Sequence, residues 1–230
     1  MIHPKNIGLA ALAGLALVAA GAAPPAGGEM KRVEAESVAL PPPATRGSVS
    51  LEEALARRRS IREFAPAPLT QAELSQLLWA AQGLTGTGGH RTAPSAGALY
   101  PVELYVATPE GLFQYVPEGH RIARRIDHDV RDALRRAALG QESVGEAPAV
   151  FAITAVPART EVKYGPSRTP RYLAMEAGHI AQNILLEATA MGLGGVPAGA
   201  FDDEKLARAL DLPSGQVALY LVPVGHARTH

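Results

Sequence analysis

The sequence predicts an α+β fold, with helices packed around a mainly antiparallel sheet. Three observations lead there. Two capping boxes, Ser50-Leu-Glu-Glu53 and Thr70-Gln-Ala-Glu73, open helical patterns early in the folded part. Two apolar runs of strand length, "VELYVAT" and "GLFQYVP", are joined only through Pro109-Glu-Gly111. The element order, α-α-β-β-α-β-α-α-β, lacks the strict βαβ alternation of a doubly wound parallel sheet. With 230 residues, 47% of them hydrophobic, the chain can bury one core, so one globular domain is expected.

Taken in order, residues 1 to 28 read as an export signal or an N-terminal membrane anchor. Lys5 precedes an apolar run, Ile7 to Ala23, that ends in small residues before Pro24 and Pro25. A span of about 17 to 25 apolar residues can cross a bilayer, so a cleaved signal and a retained anchor both fit. Either places the protein outside the cytoplasm, periplasmic or membrane-anchored. Residues 29 to 47, with prolines at 41 to 43, read as an extended linker. The folded domain, 48 to 230, is expected to begin near Ser48.

A short helix is expected from Leu51 to about Arg58. The second capping box opens a helix with Leu74, Leu77, Leu78 and Ala81 on one face and Gly83 as its stop. Residues 84 to 101 hold too much glycine for an element and are too long for an idle connection, which points to a functional loop. The strand pair follows, then an amphipathic helix in "DHDVRDALRRAAL" with Asp127 as its cap. "APAVFAITAV" is a buried strand by its unbroken apolar character. After a loop bearing proline, glycine and arginine comes the longest helix, Pro170 to Met191, closed by Gly192. "DDEKLARALDL" is a short capped helix, and "QVALYLVPVG" the last strand.

Composition narrows the function. Lys plus Arg equals Asp plus Glu at 22 each, unlike the basic excess of a nucleic-acid-coating protein. There is no cysteine, which excludes disulfides, zinc-thiolate and iron–sulfur sites, and thiol nucleophiles. The stripe Glu176, His179, Asn183 on the long helix reads as buried hydrogen bonding. A bundle metal site would need a second Glu-x-x-His pair. Trp79 reads as core.

The local exception to this neutral composition is the run Arg57 to Arg62, four arginines and Ser60 in six positions. On a helix, Arg58 and Arg62 would share one face with Arg59 beside them. One reading is a helix C-terminus, where cations suit the macrodipole. Another is attraction to lipid headgroups. The third is a phosphate site, since guanidinium forks match phosphate oxygens and a serine hydroxyl adds a neutral donor.

"RRSIREF", then "PSAGALYP", then "GLGGVPAGAF", in that order, resemble the flavin-dependent nitroreductase family over almost all of residues 50 to 228. "KYG" at 163 to 165, with "YLAMEAGHIAQNILLEATAMGLG", is most similar to the dehydrogenase branch that oxidises azoline rings in ribosomal peptides, the SagB/ThcOx type. The resemblance implies a nitroreductase-like dimer with FMN at the subunit interface. It also implies ping-pong transfer of hydride through flavin N5, on a small organic or peptide-derived substrate. An alternative of the same fold binds flavin or sequesters a ligand without turnover. No GxGxxG follows a strand, so NAD(P)H would be a transient reductant and not a resident cofactor.

Residue by residue, the resemblance places Arg58 and Ser60 on the FMN phosphate, with Arg59 close by and Arg228 as a further cation. Arg62 would reach the pyrimidine end of the flavin, where negative charge builds on reduction. The loop Pro94, Ser95, Ala96, Gly97 would lie against the ring from the partner subunit. Small residues there permit close backbone approach. Pro197, Ala198, Gly199 and Ala200 match the loop beneath the flavin, with the Gly199 amide toward N5. Lys163 and Tyr164 match the acid–base pair of the azoline dehydrogenases; a lysine or tyrosine suits removal of a proton as hydride leaves.

Overall fold

A single period-2 pattern explains the middle of the molecule. In the strands β2 (Val102–Thr108) and β5 (Ala149–Ala155), alternate residues enter two separate apolar clusters. Leu104, Val106, Phe151 and Ile153 face one side; Tyr105, Ala107, Val150 and Ala152 face the other. Such alternation with both sides apolar requires a covering layer on each face. The unbroken burial of β5 is its direct result.

A computed structural model of the chain describes residues 37 to 228; the predicted leader, 1 to 28, lies outside the described residues. The remaining strands are β1 (Ser37–Ala39), β3 (Gly111–Val116), β4 (Arg121–Ile126), β6 (Gly194–Gly195) and β7 (Val217–Gly225). All seven form one sheet in the order β1-β4-β3-β2-β5-β7-β6, and every pairing is antiparallel. The α+β expectation is met. Among the described residues no helix is long and apolar enough to cross a membrane.

Helices α2 (Gln71–Gln82) and α6 (Thr169–Ala190) cover the first face. α6 buries Leu173, Ala177, Ile180, Ala181, Ile184, Leu185 and Ala188, the spacing of a one-sided stripe. Pro170 sits in its first turn, where no amide partner is lost, and Gly192 at φ +77° follows its end. Truncating Ile180 or Ile184, both fully buried, to alanine is expected to cost ~2 to 5 kcal/mol. The second face is covered by α3 (Arg131–Ala137), α4 (Glu142–Glu146) and α7 (Asp203–Ala209). α1 (Leu51–Arg57) and α5 (Ala158–Tyr164) complete the set.

The structure differs from the sequence reading in four places. The second half of the expected linker is packed on the domain: β1 pairs with β4, and Leu40 is buried in the core. Proline lacks an N–H but keeps its carbonyl, and Pro41 O accepts from Ser75 Oγ at 2.6 Å. His120 stands 3.1 Å from the same oxygen, with Ser75 Oγ at 2.7 Å and Tyr115 Oη at 2.8 Å around its ring. Burial lowers the pKa of His120 below its ordinary value. Gln76 then clamps both the N–H and the C=O of Ala44.

Second, β4 was hidden by its three arginines. Arg124 pays its way by stacking on the Phe113 ring at 4.8 Å and donating to Glu110 O. Third, α5 and α4 replace expected loops. Fourth, α3 starts at Arg131, whose N–H bonds Asp129, so Asp129 and not Asp127 serves as the local acceptor.

Candidate functional site

The arginine run is not one helical face. α1 ends at Arg57, and Arg58 leaves it with φ −53° and ψ 126°, so the common face expected for Arg58 and Arg62 does not form. Ser60 forms an isolated parallel bridge to Gly195, and Ile61 N donates to Gly195 O at 3.1 Å. The chain then bonds alongside the end of β7, with Ala65 N to His226 O at 2.9 Å and Arg228 N to Glu63 O at 3.1 Å. The cause is Phe64, 1% exposed, which anchors this segment in the second core cluster.

The four guanidiniums divide accordingly. Arg57 pairs with Glu53 at 2.6 Å. Arg59 turns back on the helix end, donating to the carbonyls of Ala56 and Arg58, where cations are favoured. Arg58 and Arg62 make no ion pair among the described residues. Arg228 lies within 3.5 Å of Glu146. The second glycine of β6 pairs with Ser60, and the chain reaches Pro197 two residues later. Ala198 N donates to Leu221 O at 2.8 Å, which fixes the loop Pro197 to Ala200 beside the arginine segment. Gly199 is exposed on the edge of Tyr220; a Cβ there would stand 3.5 Å from that ring, ordinary contact. The strip Arg58, Ser60, Arg62, the loop Pro197 to Ala200, and Arg228 thus form one neighbourhood.

A second neighbourhood is built around the loop Pro94 to Gly97. Gly97 has φ +64°, and a Cβ on it would lie 2.8 Å from Lys163 Nζ and 3.0 Å from Tyr164 Oη. The glycine therefore admits a close approach that other residues would disturb. Lys163 Nζ lies 5.6 Å from the Tyr164 ring centre, and Tyr172 of α6 packs on that ring at 4.4 Å. Ala98 and Tyr100 also have positive φ, +53° and +45°, a conformation that costs L-residues roughly 1 to 2 kcal/mol each.

Such strain persists only where surroundings fix it. Here Tyr100 N donates to Ser95 Oγ at 2.9 Å, and Tyr100 O accepts from Arg159 at 3.2 Å. Arg91 stacks over the Tyr100 ring at 4.7 Å, its own guanidinium held by Gln82 Oε1 at 3.0 Å. Arg159 is in turn paired with Glu103 at 2.5 Å. Beneath the loop lies Glu176, 3% exposed. Burial raises its pKa above the ordinary carboxylate value, opposed by hydrogen bonds from Ser95 and the Val102 amide and by the charge of Arg91.

Lys163, Tyr164 and Pro94 to Gly97 are thus together in one chain. No hydrogen bond or ion pair among the described residues links them to the arginine neighbourhood. Sequence reasoning missed Arg91, Tyr100 and Tyr172. The length of loop 84 to 101 was the available signal for the first two; nothing local marks Tyr172. Of the polar stripe on α6, Asn183 donates to Ala80 O at 3.0 Å and Glu176 faces the loop, whereas His179 is exposed.

The chain matches the model of the nitroreductase family over residues 55–226. It is 45% identical to a Methanocaldococcus jannaschii protein assigned as a nitroreductase, over 77% of this chain and 91% of that one. A crystal structure from Ralstonia eutropha, also assigned as a nitroreductase, shares 33% identity at a TM-score of 0.78, covering 86% of this chain and 92% of that one. At 23% identity and a TM-score of 0.59, the NADPH:FMN oxidoreductase of Vibrio harveyi shares the fold over 78% of this chain and 69% of its own. With both its strand order and its two loop neighbourhoods accounted for, this chain belongs to the nitroreductase family.

Proposed function

We propose that the protein is an FMN-dependent oxidoreductase acting on a small organic or peptide-derived substrate. The observation that carries this reading is the pair of unneutralised guanidiniums, Arg58 and Arg62, beside the exposed hydroxyl of Ser60 and next to the loop Pro197 to Ala200. An anionic tail joined to a flat ring fits this set: two cations and a hydroxyl for the phosphate end, and a loop without bulk at Gly199 for the ring. Arg228 borders the same segment through its amide and would add a third cation. Arg59 would join only by releasing the end of α1.

When bound, FMN would supply a ring that accepts and returns hydride. The chain's own contributions are to hold the phosphate, to present backbone amides at Gly199, and to stabilise negative charge through Arg62. Lys163 and Tyr164 would move a proton at the substrate, with Gly97 giving them room.

The reading includes a homodimer in which each cofactor lies between the arginine strip of one copy and the loop of the other, as the resemblance to the family implies. Because Lys163 and Tyr164 touch Gly97, they would arrive with that loop, from the same copy. The Vibrio harveyi relative is by name an NADPH:FMN oxidoreductase, which supports NAD(P)H as a visiting reductant. The azoline dehydrogenase branch remains the proposed home of the "KYG" segment. Residues 1 to 28 are proposed as an export signal or anchor, giving a periplasmic or membrane-anchored enzyme.

The test is a visible absorption spectrum of the purified protein with mass spectrometry of any released chromophore. A flavin spectrum that bleaches anaerobically with a reductant and returns with an acceptor is the expected result. Protein that takes up no FMN at saturation refutes the reading. Protein that binds FMN and cycles with no donor–acceptor pair would be a flavin carrier.

A further inference from the structure

Among the described residues, four buried side-chain polar atoms lack a hydrogen-bond partner, and two of them sit on bonded neighbours: Gln82 Nε2 and Arg91 Nε. A fold seldom leaves such a donor unanswered, because each one costs its desolvation. Gln82 is 1% exposed, and turning its amide over does not help. Its Oε1 already accepts from Arg91 Nη1 at 3.0 Å; the reversed amide would set N–H against N–H. Gln82 therefore keeps an NH₂ group that nothing takes.

Arg91 is left in a similar state. Its Nη1 is spent on Gln82, and its guanidinium stacks over the Tyr100 ring at 4.7 Å. The edge that remains is Nε with Nη2. Nε is unpartnered, and Nη2 meets Glu118 only at 3.8 Å, too long for a hydrogen bond. The Glu118 side chain is 68% exposed, so this contact is weak. A guanidinium edge of this kind matches the two oxygens of a carboxylate.

Gln82 and Arg91 both line a cavity of about 300 Å³, at the lower end of the range for small-molecule sites. Other polar groups of the lining satisfy one another: Glu103 pairs with Arg159 at 2.5 Å and accepts from Gln114 at 2.9 Å. Val102 and Pro117 add apolar surface. What the lining lacks is an acceptor for Gln82 and Arg91. None of these residues belongs to the arginine strip or to the loop Pro94 to Gly97.

We propose that this cavity binds a small aliphatic carboxylate, held by the Nε–Nη2 edge of Arg91 and by Gln82 Nε2. The site adjoins the strained turn, since Tyr100 stacks on Arg91 and its carbonyl accepts from Arg159. It does not depend on FMN.

The experiment titrates propionate, and separately its uncharged isostere propionamide, into the full chain without FMN. Proton–nitrogen correlation spectra follow the Gln82 side-chain amide and the Arg91 Nε–H. Both signals are expected to shift saturably with propionate, and propionamide to bind roughly tenfold to a hundredfold more weakly, the loss of a charge-assisted contact. Gln82→Glu keeps an acceptor for Arg91 but puts a carboxylate oxygen in place of Nε2, and should abolish the propionate response at Arg91. Arg91→Lys keeps the charge and loses the edge, and should weaken propionate about tenfold or more; it serves in place of Gln82→Glu should that variant fail to fold. Glu118→Gln removes a competing carboxylate from the surface and should tighten propionate severalfold.

Gln82 and Arg91 signals that stay still throughout the titration overturn the proposal, because water alone then meets the two donors. Equal affinity for propionamide overturns the carboxylate class. Shifts confined to Lys163 or Gly199 put the acid in the proposed flavin site instead and overturn it likewise. Parent-like propionate binding in Gln82→Glu and Arg91→Lys has the same consequence. Weaker propionate binding in Glu118→Gln would make Glu118 a partner of the ligand, which a carboxylate cannot have there, and the proposal again falls.

Discussion

The arginine strip and the Pro94–Gly97 loop carry the two halves of the proposed site, and they are made by opposite means. The strip is an extended segment held by a few backbone bonds to Gly195, His226 and Arg228. Its backbone shows no positive φ from Arg58 to Arg62. Its chemistry is carried by side chains whose charges are unspent. The loop is the reverse: its side chains are small, and its character lies in a backbone driven into left-handed φ and held by Ser95, Arg91 and Arg159. An electrostatic half tolerates mobility, because a full charge acts over several ångströms. A half that works by close approach does not, because a shift of an ångström closes or opens the gap beside Lys163.

This contrast can be broken at several points. The largest effect is expected from Arg58→Ala combined with Arg62→Ala. Each lost charge-assisted contact is worth ~1.5 to 3 kcal/mol, so FMN affinity should fall by roughly two to four orders of magnitude. Fluorescence titration of FMN measures it, and an unchanged dissociation constant would remove the phosphate role of the strip. Lys163→Ala and Tyr164→Phe come next. Both should keep FMN affinity within a few-fold, while the rate of flavin reduction by substrate drops about 10²- to 10⁴-fold if they move the proton. Parent rates in both variants would return them to surface duty.

Two glycines sharpen the comparison. Gly97→Ala places a methyl group at φ +64° against Lys163 and Tyr164, and should lower stability by ~1 to 2 kcal/mol in urea unfolding. Gly199→Ala meets only ordinary contact with Tyr220 and should stay within about 0.5 kcal/mol of the parent. Equal effects would mean that the loop is no tighter than the strip.

The last prediction concerns pH. Burial raises the pKa of Glu176, so the folded state holds a proton that the unfolded state releases above its ordinary range. Stability from this group is fully present below about pH 4.3, the ordinary glutamate value, and is lost as pH rises through the raised folded value. Glu176→Gln should therefore flatten the fall in melting temperature on the alkaline side of that window. The slope should not vanish, because Glu187 is shifted the same way by burial. A melting profile parallel to the parent's would sink this.

How much of this could be read from the sequence follows the range of the interactions involved. The capping boxes at Ser50 and Thr70 and the apolar stripe of α6 are local patterns, and they formed where the sequence placed them. β4 was not legible, because Arg121, Arg124 and Arg125 interrupt the alternation and only Phe113, on the neighbouring strand, shows what Arg124 covers. The end of α1 at Arg57 is set by Phe64 and Gly195, both distant from the capping box. In the site, residue types pointed to the strip, whose function is chemical. They could not reveal that Ala98 and Tyr100 are left-handed, since neither residue type prefers that region.

The short strand Ser37–Ala39 has a practical bearing. It occupies the outer side of β4, whose amides and carbonyls would otherwise face solvent in a row, a ready template for a strand from another molecule. A recombinant version trimmed to start at Ser48 would lose this cover together with Leu40 and Pro41, whose carbonyl meets Ser75 and His120. Such a version is expected to stick to itself through the bared border, and any assembly it formed would be an artefact of trimming.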